Sequence, residues 1–141
     1  MPHLYLALDQ GGHASRALVF DARGTLISSA SIPISTRHTG DGHIEHDPEE
    51  LVASLRQAID AACAALPPGS RLVAAGLATQ RSSMACWHRR TGVALSPVIS
   101  WQDRRNAAWL ERLSPEAGRI RALTGLVLTP HYGASKMRWC L

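Results

Sequence analysis

Along the first twenty residues the apolar positions fall into two short runs. Leu4 to Leu8 is apolar and ends at Asp9, a polar turn holds Gly11 and Gly12, and Ala17 to Phe20 leads away. Runs this short, bounded by Gly, Asp and Ser, predict the two strands of a hairpin. Asp21-Ala22-Arg23-Gly24 reads as the next turn. Between Thr25 and Ser35, the positions Leu26, Ser28, Ala30, Ile32 and Ile34 share one parity and make that face mostly apolar, with Ile27 the exception on the other. A third strand follows, and three sequential strands with short turns make an antiparallel meander. Thr36 to His46 is polar and Gly-rich and reads as a loop.

The period then changes. Asp47-Pro48-Glu49-Glu50 is a helix start, with Asp47 as N-cap, Pro48 at the first helical position and Glu50 completing a box-like pattern. Leu51, Leu55, Ala58, Ile59, Ala62 and Leu66 form one stripe at helical spacing, and Pro67-Pro68-Gly69 stops it. Leu72 to Thr79 is apolar on both parities, which predicts a strand covered on both faces and most simply parallel, reached by a crossover. Met84 to His88 reads as another strand, with a turn near Arg90-Thr91-Gly92 and extended chain from Val93 to Ser100. A helix is expected after Ser100-Trp101-Gln102-Asp103-Arg104-Arg105, through Leu113. A short helix runs from Ser114 to about Leu123, and Thr124-Gly125 breaks it. Leu126 to Leu128 is a short apolar run, Pro130 to Gly133 a loop, and Ala134 to Leu141 the opening of a helix. No stop signal follows Trp139, Cys140 and Leu141, so an incomplete chain is expected.

A length of 141 residues fits one domain with one core. At 45% apolar and 18% charged residues the chain reads as globular. The net charge of +4 comes from scattered arginines and one lysine, Lys136, with short pairs at Arg89-Arg90 and Arg104-Arg105. Neither a basic stripe nor aromatic platforms accompany it, so nucleic acid is not an expected partner. Cys63, Cys86 and Cys140 form no CxxC pair, so a disulfide framework or zinc site is not expected and each packs as a small apolar residue. The N-terminus has no basic region ahead of its apolar run, and no run reaches membrane-spanning length. A cytoplasmic protein without membrane contact is expected.

The chemistry gathers at a few places. Gly11 and Gly12 lack a Cβ, so their N–H groups can approach a phosphate. Asp9 could hold a divalent cation through water, because Mg²⁺ keeps much of its hydration shell. The alternative is a turn that uses Asp and Gly for backbone reasons alone. Gln80-Arg81-Ser82-Ser83 stands at the carboxyl end of a strand, where ligands gather in open α/β sheets. Arg81 offers a planar fork of donors to hydroxyl or anionic oxygens; the alternative is a surface arginine. Trp101 with Gln102, Asp103 and two arginines makes a wall for a polyhydroxylated ligand, or a core Trp with Asp103 starting a helix. His38, His43 and His46 share no metal-motif spacing and read as solvated.

Five motifs stand in order: LALDQG with Ser15-Arg16, EHDPEE, ATQR, SWQDRR, and TGLVLTP with Lys136 and Trp139. Together they resemble the N-terminal part of the FGGY carbohydrate kinases, and among these the glycerol kinases most, from about Leu4 to Leu141. The resemblance implies an α/β, ribonuclease-H-like fold related to actin and hexokinase, with residues 1–141 forming the N-terminal portion of the first of two domains. It implies ATP and Mg²⁺ as cofactors, transfer of the γ-phosphoryl group to a sugar or polyol hydroxyl, and a parent compatible with a homo-oligomer. The phosphate-facing loop maps onto Asp9, Gln10, Gly11, Gly12, His13, Ser15 and Arg16. The substrate side maps onto Arg81, Ser82, Trp101, Asp103, His131 and Tyr132.

The chain departs from the glycerol kinases at several of these positions. Gly12 and His13 replace two threonines, Ser82 replaces a Glu, His131 falls where a Tyr contacts the polyol, and Asp103 takes the place of a Cys. These departures widen the expected acceptor to a larger polyol or a sugar. The family's catalytic base is an Asp beyond residue 141, so no catalytic residue is expected in this chain, and alone it is expected to be inactive. The alternative is a truncated or degenerate actin-like domain that only binds ligand or a partner.

Overall fold

The computed structural model describes residues 3–40 and 42–141, and the chain divides into two compact units. The first comprises Met1–Thr36 and Asp47–Gln80; the second comprises Arg37–His46 and Arg81–Leu141.

The first unit is a four-stranded sheet with a helix on one face. Strands β1 (His3–Gln10), β2 (Ala14–Asp21) and β3 (Leu26–Pro33) form the expected antiparallel meander. Alternation decides which side chains turn inward: Leu4 and Leu6 from β1, Ser15, Ala17 and Val19 from β2. Helix α1 (Pro48–Ala64) lies over β2 and β3 and inserts Ser54, Ala58 and Ala62. The small residues let helix and sheet approach closely, and burying each Leu or Val there contributes about 1.5–3 kcal/mol. Ser28 Oγ donates to the Ala62 carbonyl at 2.8 Å, which satisfies the one polar group β3 turns inward. Asp47 caps α1 by accepting the N–H groups of Glu49 and Glu50 at 2.9 and 3.4 Å. The Glu50 carboxylate accepts the Ser35 N–H at 2.9 Å, which ties the start of α1 to the end of the meander.

Strand β6 (Arg71–Thr79) pairs parallel with β1, as its crossover implies. The cover expected on both its faces is not supplied by the described residues, among which every residue of β6 is exposed. The helix covers the meander, and β6 lies at the sheet edge next to β1.

In the second unit the segment read as a loop forms a hairpin. Strands β4 (Arg37–Thr39) and β5 (His43–His46) pair antiparallel, and β5 pairs with β7 (Val98–Ile99). These strands have two to four residues, too few for alternation to show. Met84 bridges to Ile99 and Trp87 to Ala94, so the expected extended chain there is reduced to isolated bridges. Helix α2 (Ala107–Glu111) begins later than the position of Asp103 implied, and its N-cap is Asn106. A 3₁₀ turn at Ser114–Glu116 leads into α3 (Ala117–Thr124), which ends on Gly125 in the left-handed region at φ 71°. Helix α4 (Gly133–Cys140) follows. Among the described residues no helix is long and apolar enough to cross a membrane.

Candidate functional site

The turn between β1 and β2 is built tightly. Gly11 N–H donates to the Ala14 carbonyl at 3.0 Å, and a Cβ on Gly11 would meet that same oxygen at 3.0 Å. The close approach favours glycine at this position, because a Cβ would need the Ala14 carbonyl to give by a few tenths of an ångström. Gln80 Nε2 donates to the Gly11 carbonyl at 2.8 Å, and Ile34 N–H donates to the His13 carbonyl at 3.0 Å. The turn is thereby held on both sides, with Gly12 partly exposed and His13 exposed. Asp9 and Arg16 face each other in the strand register and form an ion pair at 2.8 Å, each side chain about half exposed (45% and 48%). Asp9 therefore presents a solvent-accessible carboxylate at a fixed place. Ser15, expected to face phosphate, turns inward. It is fully buried, shares a 2.7 Å hydrogen bond with Ser54 Oγ and donates to Gln10 Oε1 at 3.1 Å. Alternation along β2 causes this, because Ser15 has the same parity as Ala17 and Val19.

A cleft of about 250 Å³ lies in the second unit, bounded by residues 101–104 and 129–131. The Trp101 and His131 rings meet edge to face with centroids 5.5 Å apart, and His131 meets Tyr132 the same way at 5.2 Å. Trp101 is positioned by its backbone, whose N–H donates to Ser83 Oγ at 2.9 Å. Gln102, Arg104 and Thr129 bring polar groups to the same cleft. An apolar ring face beside convergent donors and acceptors suits a small polyhydroxylated molecule.

Asp103 also lines this cleft, yet its carboxylate is committed to the protein. It accepts the N–H of Ile44 at 2.7 Å and the N–H of Arg105 at 2.9 Å. Arg105 Nε and Nη2 grip it at 2.9 and 2.8 Å, and Nη2 also donates to Glu45 at 2.6 Å. Burial pushes the Asp103 pKa up, but the Arg105 guanidinium and the two backbone N–H groups outweigh it. They hold the carboxyl below the usual carboxylate range. Burial opposes the charge on Arg105 as well, and its two carboxylate partners raise its pKa despite it. The guanidinium stacks on Trp139 at 4.3 Å. Asp103 thus acts as the anchor of residues 100–105, and its engagement with Arg105 explains why α2 starts later.

Arg81 is exposed and Ser82 partly buried; neither lines the cleft. Ser82 has φ 66° and is the one non-glycine residue in the left-handed region among those described. That conformation costs about 1–3 kcal/mol and is characteristic of functional turns. Tyr132 lines a separate, apolar cleft with Leu110, Ile120 and Leu126. Among the described residues no group of three His, Cys, Asp or Glu is placed to hold a metal. His46 is fully buried rather than solvated. All three cysteines are free, and the Cys140 thiol is pushed up by burial and by its hydrogen bond with Cys86.

Glu45, Arg105 and Lys136 stand in the quoted motifs, Arg105 also as one of the two arginines beside Trp101, but their structural roles were not read from the residues. The signal for Lys136 was its status as the sole lysine among fifteen basic residues. It is 1% exposed, and burial pushes its pKa down. For Arg105 the signal was only a place within an arginine pair.

Comparison with known proteins gives a consistent result. The FGGY family of carbohydrate kinases, N-terminal domain, matches residues 4–141. A glycerol kinase from Rhodospirillum centenum is 40% identical over 142 residues, covering 96% of this chain and 28% of that protein. One from Trichlorobacter lovleyi is 44% identical over 140 residues, with the same coverage. The solved structure of Plasmodium falciparum glycerol kinase with ADP superposes with a TM-score of 0.90 at 22% identity, over 98% of this chain and 28% of that one. A xylulose kinase from Rhodospirillum rubrum gives 0.89 at 22% identity, over 96% and 29%. The fold is therefore that of the actin- and hexokinase-like ATPases, and the chain spans little more than a quarter of the length of these relatives. With the Gly11 turn, the Trp101 wall and the match across residues 4–141, the chain belongs to the FGGY family of carbohydrate kinases.

Proposed function

We propose that the protein to which this chain belongs transfers the γ-phosphoryl group of ATP to a hydroxyl of a sugar or polyol. This chain supplies the phosphate-facing turn and one wall of the acceptor pocket. The observation that carries the reading is the 250 Å³ cleft, walled by the edge-to-face pair of Trp101 and His131 and edged by polar groups. The glycerol kinases among its relatives support a polyhydroxylated acceptor.

Bound ATP would bring the transferable phosphoryl group and Mg²⁺ would neutralise its charge, since phosphoryl transfer rests on positioning and electrostatics. Asp9 fits a role toward the metal through water, because its carboxylate is solvent-accessible and pinned by Arg16. Gly11 and Gly12 let backbone approach phosphate oxygens. Trp101 offers a ring face to the C–H groups of the acceptor, and His131 closes the pocket beside it. Arg81 is exposed outside that cleft, and its assignment as a donor to acceptor oxygens rests on its match to the family's substrate arginine alone. No side chain of this chain is assigned the base that takes the hydroxyl proton.

The test is a screen of polyols and sugars with ATP and Mg²⁺, using the full-length protein. ATP-dependent phosphorylation of at least one is expected, and none across the screen overturns the reading. In the active enzyme Arg81→Ala should raise the acceptor KM at a cost of about 1–3 kcal/mol, the loss of a charged donor. An unchanged KM would make Arg81 a surface residue. A second reading, a domain that only binds ligand or a partner, is favoured by His13, which is exposed and brings no hydroxyl to the turn. Acceptor or nucleotide binding without phosphoryl transfer would establish it.

A further inference from the structure

Lys136 is among the largest fully buried side chains of the described residues, at 1% exposure. Among the described residues its ammonium group makes no hydrogen bond to a carboxylate. Nζ donates to the His131 carbonyl at 2.7 Å and to the Pro130 carbonyl at 2.8 Å, and it stands 3.5 Å from the Trp101 carbonyl, the outer limit of a hydrogen bond. An ammonium has three donors around one point, and here they face three carbonyls. Two of those carbonyls belong to the residues whose rings form the cleft wall, 5.5 Å apart. The third belongs to Pro130, which also lines the cleft. Lys136 itself does not line it.

Burying an ammonium is costly unless every donor finds a partner. A fold seeking stability alone would place Met or Leu at this position on α4. A charge kept here holds two chain segments to a common point, one carrying Trp101 and the other His131, 30 positions later in sequence, and charge-assisted bonds hold more rigidly than apolar contact.

We propose that Lys136 is a positioning residue for acceptor specificity: it clamps the carbonyls of Trp101, Pro130 and His131 and so fixes the distance and angle between the two rings that bound the acceptor pocket. This deepens the kinase reading and rests on it. Small displacements of a pocket wall alter binding steeply, so the clamp sets which acceptor fits. Ser135, the preceding residue, supports the same loop. Its carbonyl accepts Asn106 Nδ2 at 2.6 Å, and its hydroxyl lies 3.3 Å from the Tyr132 carbonyl.

The experiment uses the full-length enzyme and its best acceptor from the screen. Lys136→Gln keeps two donors and removes the charge. It should raise the acceptor KM and the calorimetric acceptor Kd roughly 10- to 100-fold while leaving the KM for ATP within about twofold. Combined with His131→Ala, the effects should be less than multiplicative, because both act on the same wall. If the Gln variant does not fold, Lys136→Arg serves in its place. It keeps the charge, but a planar fork cannot address three carbonyls around one point, so the same selective rise follows at smaller size. An unchanged acceptor KM, an equal loss for both substrates, or full multiplicativity with His131→Ala overturns the proposal. A wild-type enzyme inactive on every acceptor overturns the kinase reading and this inference with it; an active wild type with an unaffected variant overturns this inference alone.

Discussion

In the sheet-and-helix unit the deeply buried side chains are Leu4, Leu6, Ala17, Val19, Ala58 and Ala62, with three serines among them. In the other unit they include Lys136, Asp103 and His46 beside Val98, Ile99 and Leu110. One half of the chain is held by apolar packing between a sheet and a helix. The other is held by charge: Arg105 joins Asp103 and Glu45, and Lys136 joins three carbonyls. Apolar packing is tolerant of small displacement, whereas a bidentate ion pair is not. The half that carries the Trp101–His131 ring pair is the half built on directional bonds.

The largest effect expected separates these two kinds of core. Arg105→Met leaves the Asp103 carboxylate buried without its partner, at a cost of about 3–5 kcal/mol. Leu6→Ala leaves a cavity under α1 and costs about 2–5 kcal/mol. Hydrogen exchange resolved along the full-length protein should show the first loss confined to residues 98–105 and β5, and the second to β1, β2 and α1. Protection lost throughout both units in either variant would mean that they are not separate in stability. The contrast sharpens with Asp103→Asn combined with Arg105→Met, which should recover part of the loss, because the uncharged amide oxygen can still accept a backbone N–H that the carboxylate held.

Acid should distinguish the halves next. The Asp103 carboxyl titrates below the ordinary carboxylate value in the folded chain, through Arg105 and two backbone N–H groups acting against burial. Unfolded, it would titrate near 3.9. Its contribution is thus complete above about pH 4 and is lost as pH falls through the depressed folded value. The buried residues of the sheet-and-helix unit are apolar or serine and do not titrate there. Protection factors for residues 98–105 should fall before those of β1 and β2 as pH is lowered below about 4. Simultaneous loss would remove Asp103 as the acid-sensitive element.

The same division explains what could be read from residues alone. The meander and α1 announce themselves locally, through alternation at Leu4 and Leu6, the Asp47 cap and the Leu51–Leu66 stripe. The directionality of β6 was legible too, but its coverage was not, because an apolar strand carries no record of what lies against it. The second unit rests on partners distant in sequence: Arg105 and Glu45 are 60 positions apart, and Lys136 lies 35 from Trp101. Neither strand β7 of two residues nor a lysine in a short helix shows such a link. Of the residues that the resemblance places on the substrate side, Trp101 and His131 come together as one wall of a cleft, while the Asp103 carboxylate is committed to Arg105.

The smallest loss of stability is expected where the functional consequence is sharpest. Asp9 and Arg16 pair at 2.8 Å across β1 and β2 with both side chains about half exposed, so solvent and salt screen them. Such a pair contributes about 0–1 kcal/mol. Asp9→Asn keeps the shape and hydrogen-bonding capacity of the turn and should leave its melting behaviour nearly unchanged. Under the kinase reading the same substitution removes the one charge placed to orient a hydrated cation beside the Gly11 turn. Turnover should fall and half-maximal activity should need more Mg²⁺, with the acceptor KM unaffected because the wall at Trp101 is untouched. A magnesium titration of kcat on the full-length enzyme, run beside its thermal melt, reads both at once. A variant with full turnover and an unshifted magnesium requirement would return Asp9 to the role of a turn residue. A variant that lost stability as well would mean that the pair holds the hairpin more firmly than its exposure allows.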